Sequence, residues 1–133
     1  MDKAQKSVAE LAEEDPIKIH REGTALADKG EFKEATEKFL KASELYYKQP
    51  NFFDASYMMF KAGECGFRLK EYKIALERFQ KSADIAFEKG YDRFGVGALE
   101  YARDCYKALK NTKEAAKLDK KIKELKAKLA EAF

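Results

Sequence analysis

The sequence predicts an all-α fold: a right-handed superhelical stack of about three antiparallel helix hairpins, preceded by a short N-terminal helix. Three observations carry this expectation. The first is self-similarity. Residues 30–45 return forty positions later as 70–85 and forty further on as 110–125. Lys33, Lys73 and Lys113 coincide, as do Ala35, Ala75 and Ala115, while Phe39 matches Phe79 and Gly23 matches Gly63. A fixed period of about 20–50 residues marks an array of supersecondary units that bury their apolar faces by stacking. The second is spacing: apolar residues recur three and four apart, as one helix face requires. The third is that no stretch alternates with a period of two and β-branched residues are sparse, so strands are not expected.

A chain of 133 residues reads as a single domain. Its expected parts are an N-terminal helix over residues 1–15 and hairpins over 16–50, 51–90 and 91–133. With 45% hydrophobic and 38% charged residues it suits a helix-rich chain with a wet surface. A net charge of +3 is too small to name an acidic partner. No apolar run approaches the roughly 18 residues of a membrane span, and the first residues lack the apolar core of a signal peptide, so the cytoplasm is the expected location. Cys65 and Cys105 fall at equivalent repeat positions inside expected helices, and read as small buried hydrophobes.

Each element has its own signal. Ala4, Val8, Leu11 and Ala12 carry the N-terminal helix. Asp15-Pro16 reads as N-cap and first helical residue, because proline lacks only an N–H that would be orphaned there. The next helix uses Ile19, Gly23 and Leu26 and ends at Gly30, which suits a left-handed C-terminal position. Its partner, expected from about 31 to 49, carries the stripe Phe32, Ala35, Phe39, Ala42 and Leu45, and Pro50 stops it. The second pair repeats the plan, with Phe53, Met59, Ala62, Gly63, Gly66 and Leu69 supplying its first helix, of which Met59, Ala62, Gly63 and Gly66 are expected to pack inward. Tyr72, Ala75, Phe79, Ala83 and Ile85 supply its second, and Gly90 closes it. The third begins near Tyr91, and Asn111 reads as a cap for the last helix. Gly95 and Gly97 should leave the start of that third pair shorter or looser, since each helical glycine costs about 1 kcal/mol against alanine. Mid-helix glycines at 23 and 63 imply close approach of a neighbour, with Phe39 and Phe79 as the bulky complements.

At these residues the chain resembles the tetratricopeptide repeat family. Gly23, Gly30-x-Phe32, Ala35, Phe39 and Ala42 stand in the first unit, and Gly63, Tyr72, Ala75, Phe79 and Ser82 in the second. The third unit departs, with Arg103 for the glycine and Thr112 and Asp119 for the aromatics. The forty-residue period, longer than the family's usual 34, and the run from Asp54 to Phe67 are similar to the soluble NSF-attachment (SNAP) proteins. The resemblance implies that the first helix of each pair lines a concave surface. Carried over by position, that groove would comprise Ile17, His20, Thr24, Asp28, Tyr57, Phe60, Glu64, Phe67, Arg68, Gly97, Glu100, Asp104 and Lys107. Tyr57, Phe60, Glu64 and Phe67 share one helix face by spacing.

Catalytic and metal motifs are missing from the sequence: there is no HExxH, CxxC, GxSxG or P-loop, and His20 is the one histidine. No enzyme, cofactor or metal is expected. The leading expectation is a protein–protein adaptor that holds a peptide or helix in the groove, with a homodimer as a further possibility. One alternative is a SNAP-like adaptor for a hexameric ATPase. Another is an anionic-surface binder, for nucleic acid or lipid, acting through the lysine-rich last helix. Nucleic acid is disfavoured because no aromatic side chain is interleaved with those lysines for stacking. The seam Ala115, Leu118, Ile122, Leu125, Leu129 and Ala132 reads either as the inner face of an end cap or as a coiled-coil dimer seam.

Overall fold

A computed structural model describes residues 14–132. The helix expected within residues 1–15 lies almost wholly outside them. Six helices follow in order: α1 (Pro16–Asp28), α2 (Phe32–Lys48), α3 (Phe52–Arg68), α4 (Tyr72–Glu88), α5 (Asp92–Ala108) and α6 (Thr112–Glu131). Each packs antiparallel on the next, and the described residues contain no strand.

The turns explain the regularity. Helices α2 to α6 begin twenty residues apart, at 32, 52, 72, 92 and 112, so the turn repeats at half the period visible in the sequence. At each turn one residue serves two helices. The N–H of Glu31 donates to the Leu26 carbonyl at 2.9 Å, five residues back, while the Glu31 carbonyl accepts from Ala35 at 3.0 Å. Asn51, Glu71, Tyr91 and Asn111 do the same at their turns. The long bond is the Schellman closure, which satisfies carbonyls that the helix end leaves orphaned. Asp15 caps α1 as expected, its carboxylate accepting from the Ile17 N–H at 2.9 Å, and Asn111 caps α6 through the Glu114 N–H at 3.3 Å.

The residue before each dual-purpose position is forced left-handed. Gly30 (φ +80°) and Gly90 (φ +86°) fill it without strain, but Lys70 and Lys110 occupy it at φ +61°. A side chain with a Cβ is costly there. Lys70→Gly and Lys110→Gly should therefore each raise stability by about 0.5–1 kcal/mol, the relief being partly offset by the freer unfolded chain. Urea midpoints will check this, and a fall in either midpoint would contradict it.

Across each of the first two hairpins a glycine faces an aromatic ring. A Cβ added at Gly23 would stand 2.9 Å from Phe39, and one at Gly63 would stand 2.8 Å from Phe79, both phenyl rings being fully buried. The expected interlock is present. In the third hairpin the same two places hold Arg103 and Asp119, and these form an ion pair at 2.9 Å. The two departures are one exchange, a packed glycine–phenylalanine pair for a charged pair. The Arg103 guanidinium holds the Asp119 carboxyl below its ordinary range, and the Asp104 carboxylate lies 3.5 Å from Arg103 Nε.

One expectation needs correction. Gly95 does not loosen α5, which spans 17 residues like α2, α3 and α4. It is buried, and a Cβ there would meet the Phe87 ring at 2.8 Å, so this glycine too is a packing position. On α3 the expected inward residues Met59, Ala62, Gly63 and Gly66 are buried together with Ala55, Ser56, Met58 and Cys65, while Phe53 and Leu69 are exposed. Met58 is fully buried. Ser56 and Ser82 are also fully buried, and each hydroxyl donates to the other residue's carbonyl at 2.8 Å. That reciprocal pair satisfies both hydroxyls, as burial demands. Cys65 and Cys105 are buried as expected, and burial pushes the Cys105 thiol up to about 12.

The two end faces of the stack are polar for a positional reason. Where α3 buries Met58, Ala62 and Cys65 against the preceding helix, α1 places Lys18, Glu22 and Ala25, none of them buried. Where α2 carries Leu40 and Ser43 toward the following helix, α6 carries exposed Lys120 and Lys123. The α6 seam faces inward instead. Ile122 is buried among Ala83, Val96 and Leu99, and Leu118, Leu125 and Leu129 pack against that cluster. Of the two expected roles of this seam, its contacts within the chain are those of an end cap, with Leu118, Leu125 and Leu129 half-buried.

Candidate inner groove

Helices α1, α3 and α5 sit side by side through the intervening α2 and α4, and their shared surface holds a cavity of about 490 Å³. Its floor is Phe39 and Cys65. Ala27 and Asp28 come from α1 and Phe32 from α2. Lys61, Glu64, Phe67 and Arg68 come from α3, and Tyr101 and Asp104 from α5. The α3 contributors are spaced three and four apart, so one helix face supplies them all.

The charged walls are partly paired. Lys61 meets Glu64 at 3.1 Å. Burial alone would lower the Lys61 ammonium, but the Glu64 carboxylate, with smaller contributions from Tyr57 and Cys65, holds the group above the ordinary lysine value. The Arg68 guanidinium lies over the Phe32 ring, 5.4 Å from its centre. The apolar walls are Phe67, half-buried against Tyr72 at 5.1 Å between ring centres, and Tyr101, which is 42% exposed.

Of the residues assigned to the groove from sequence, the structure places Asp28, Glu64, Phe67, Arg68 and Asp104 on this cavity. Tyr57 and His20 stand further along the same side, their rings 6.3 Å apart and edge-on. The Tyr46 hydroxyl is 3.5 Å from His20 Nδ1. Phe60 is half-buried, edge-on to Tyr101 at 4.8 Å and close to Phe79 and Phe94. It packs against two core clusters, so it props the wall more than it faces a ligand. Glu100 pairs with Lys126 of α6 at 3.3 Å and borders a separate, smaller cleft with Arg93 and Leu129. Ile17, Thr24 and Lys107 are exposed and do not line the cavity, and the Thr24 hydroxyl donates to the His20 carbonyl at 3.1 Å.

Among the lining residues that the groove assignment omitted, Tyr101 and Lys61 had a usable signal. They stand forty apart, at equivalent positions one step from Glu100 and Phe60. Phe32 had none, because it belongs to a second helix and reaches the groove only from the turn.

A second cavity, of about 550 Å³, opens on the outer side between α2 and α4, over Met59, Leu40 and Ile85. Repeat comparison explains it. Phe87 tucks against Gly95, but the equivalent Tyr47 would meet Ala55, which has a Cβ. Tyr47 instead turns outward against Phe52, where the Lys89 ammonium covers both rings.

The lysines of α6 are interrupted by acids. Lys117 pairs with Glu114 and Lys123 with Asp119, each at 3.5 Å. Among the described residues no group of three or more His, Cys, Asp or Glu side chains could hold a metal ion, and no helix is long and apolar enough to cross a membrane. No family model matches the chain, and a search of curated proteins also finds no match.

Proposed function

We propose that this chain is a protein-interaction module that holds a peptide or helix of another protein in the inner groove. One observation carries the reading. The cavity across α1, α3 and α5 exposes Phe67 and Tyr101 between charged side chains. Aromatic side chains at the centre of a polar rim are the composition of a contact core. Covering a large apolar side chain is worth about 1.5–3 kcal/mol.

A random peptide library displayed on phage and selected on the wild-type chain tests this. Selected peptides should lose at least about tenfold in affinity on the Phe67→Ala plus Tyr101→Ala variant. They should bind a Lys117→Ala control as they bind the wild type. Both groove side chains are partly exposed, so melting temperature is the check that the variant remains folded. Equal binding to a folded double variant would show that the groove is not the binding surface.

A further inference from the structure

We infer that the groove's occupant is a basic segment, carrying lysine or arginine beside its apolar anchors; this rests on the groove being the binding surface. The charge left over inside the cavity is the observation. Its ionisable lining is Asp28, Glu64 and Asp104 against Lys61 and Arg68, an excess of one acid in a chain whose net charge is +3. The pairing within the walls sharpens the contrast. Lys61 is taken by Glu64. Arg68 is laid over Phe32. Asp28 has no ion-pair partner among the described residues. Asp104 has only the Arg103 Nε at 3.5 Å, and Arg103 directs its Nη1 to Asp119 at 2.9 Å. The two carboxylates come from opposite walls, α1 and α5, and flank the apolar surface of Phe67 and Tyr101.

An acidic segment would bring like charge against both carboxylates. A purely apolar one would strip them of water without replacing it, which is costly for a charged group. A lysine or arginine at each side supplies a charge-assisted hydrogen bond instead. Its stem can lie along Tyr101, and its cation can face that ring. Lys107, three residues beyond Asp104, is exposed and does not line the cavity.

The test uses two matched 15-residue peptides with the same leucine and phenylalanine stripe. One is flanked by lysines and the other by glutamates. Fluorescence anisotropy should show the lysine peptide binding about tenfold or more tightly at low salt. That preference should shrink in 200 mM salt. Asp28→Asn plus Asp104→Asn should abolish the preference, while Phe67→Ala plus Tyr101→Ala should weaken both peptides. If the aromatic variant weakens both peptides but the Asn variant leaves their ratio unchanged, the basic-segment inference is wrong and the groove reading survives. If neither peptide binds, or the aromatic variant changes nothing, both fall. Two other occupants would also overturn it. Affinity that rises more than tenfold on deleting residues 1–13 would make that segment the occupant. A mass that doubles with concentration, and reverts in the aromatic variant, would make it a second copy of the chain.

Discussion

Replacing Phe79 with alanine is expected to cost about 3–5 kcal/mol, and the same change should reverse the sign of a second substitution, Gly63→Ala. Phe79 is fully buried, with its ring in contact distance of Phe60 and Tyr101 at 5.3 Å between centres. Removing it forfeits a large transfer term and leaves a cavity in a neighbourhood held by two helices. In the wild type, a Cβ at position 63 would lie 2.8 Å from that ring. The ring is rigid and enclosed, so it cannot yield cheaply, and overpacking of this kind costs about 1–3 kcal/mol. Alanine nevertheless favours the helix by about 1 kcal/mol over glycine. With Phe79 gone the clash vanishes and only the helical gain remains. Gly63→Ala should therefore destabilise the wild type and stabilise Phe79→Ala. A double-mutant cycle by urea denaturation measures the coupling. Additive effects would mean that the glycine and the ring do not meet.

Ala75→Leu should destabilise by about 1–3 kcal/mol, toward the upper end of that range. Ala75 is fully buried, and its Cβ lies 3.3 Å from where a Cβ of Gly66 would be. The space beyond it is the backbone of α3, which cannot rotate away as a side chain can. Ala35 and Ala115, its equivalents, are buried in the same manner. Ala116→Leu on the exposed side of α6 is the control and should stay within about 0.5 kcal/mol of the wild type. Matching melting curves for the two leucine variants would contradict the packing described here.

The sequence by itself determined the local and the periodic. Asp15-Pro16, Gly30, Gly90 and Asn111 were legible because a cap or a left-handed turn is satisfied within a few residues of itself. The pairs Gly23–Phe39 and Gly63–Phe79 were legible because the repeat printed them twice, at the same separation. The inner cavity meets some of the residues that the family resemblance assigned to a groove, Glu64, Phe67, Arg68 and Asp104 among them.

Only the tertiary structure decided how residues from different helices share space. It joined Arg103 to Asp119, which the sequence showed as two unrelated departures, because an ion pair can occupy the volume and contact of a glycine and a ring. It turned Gly95 from a weakness into a packing position, since the cost of a helical glycine is local but its return, the seat for Phe87, is on another helix. It set Phe60 against the core and left Tyr101 at the groove. A spacing of three and four names a face some 100° wide. Whether a ring near the edge of that face is covered depends on what the next helix brings, here Phe94 and Tyr101 onto Phe60. The left-handed Lys70 and Lys110 had no signal of their own type, because the turn geometry is imposed by the helices on either side and lysine there only tolerates it.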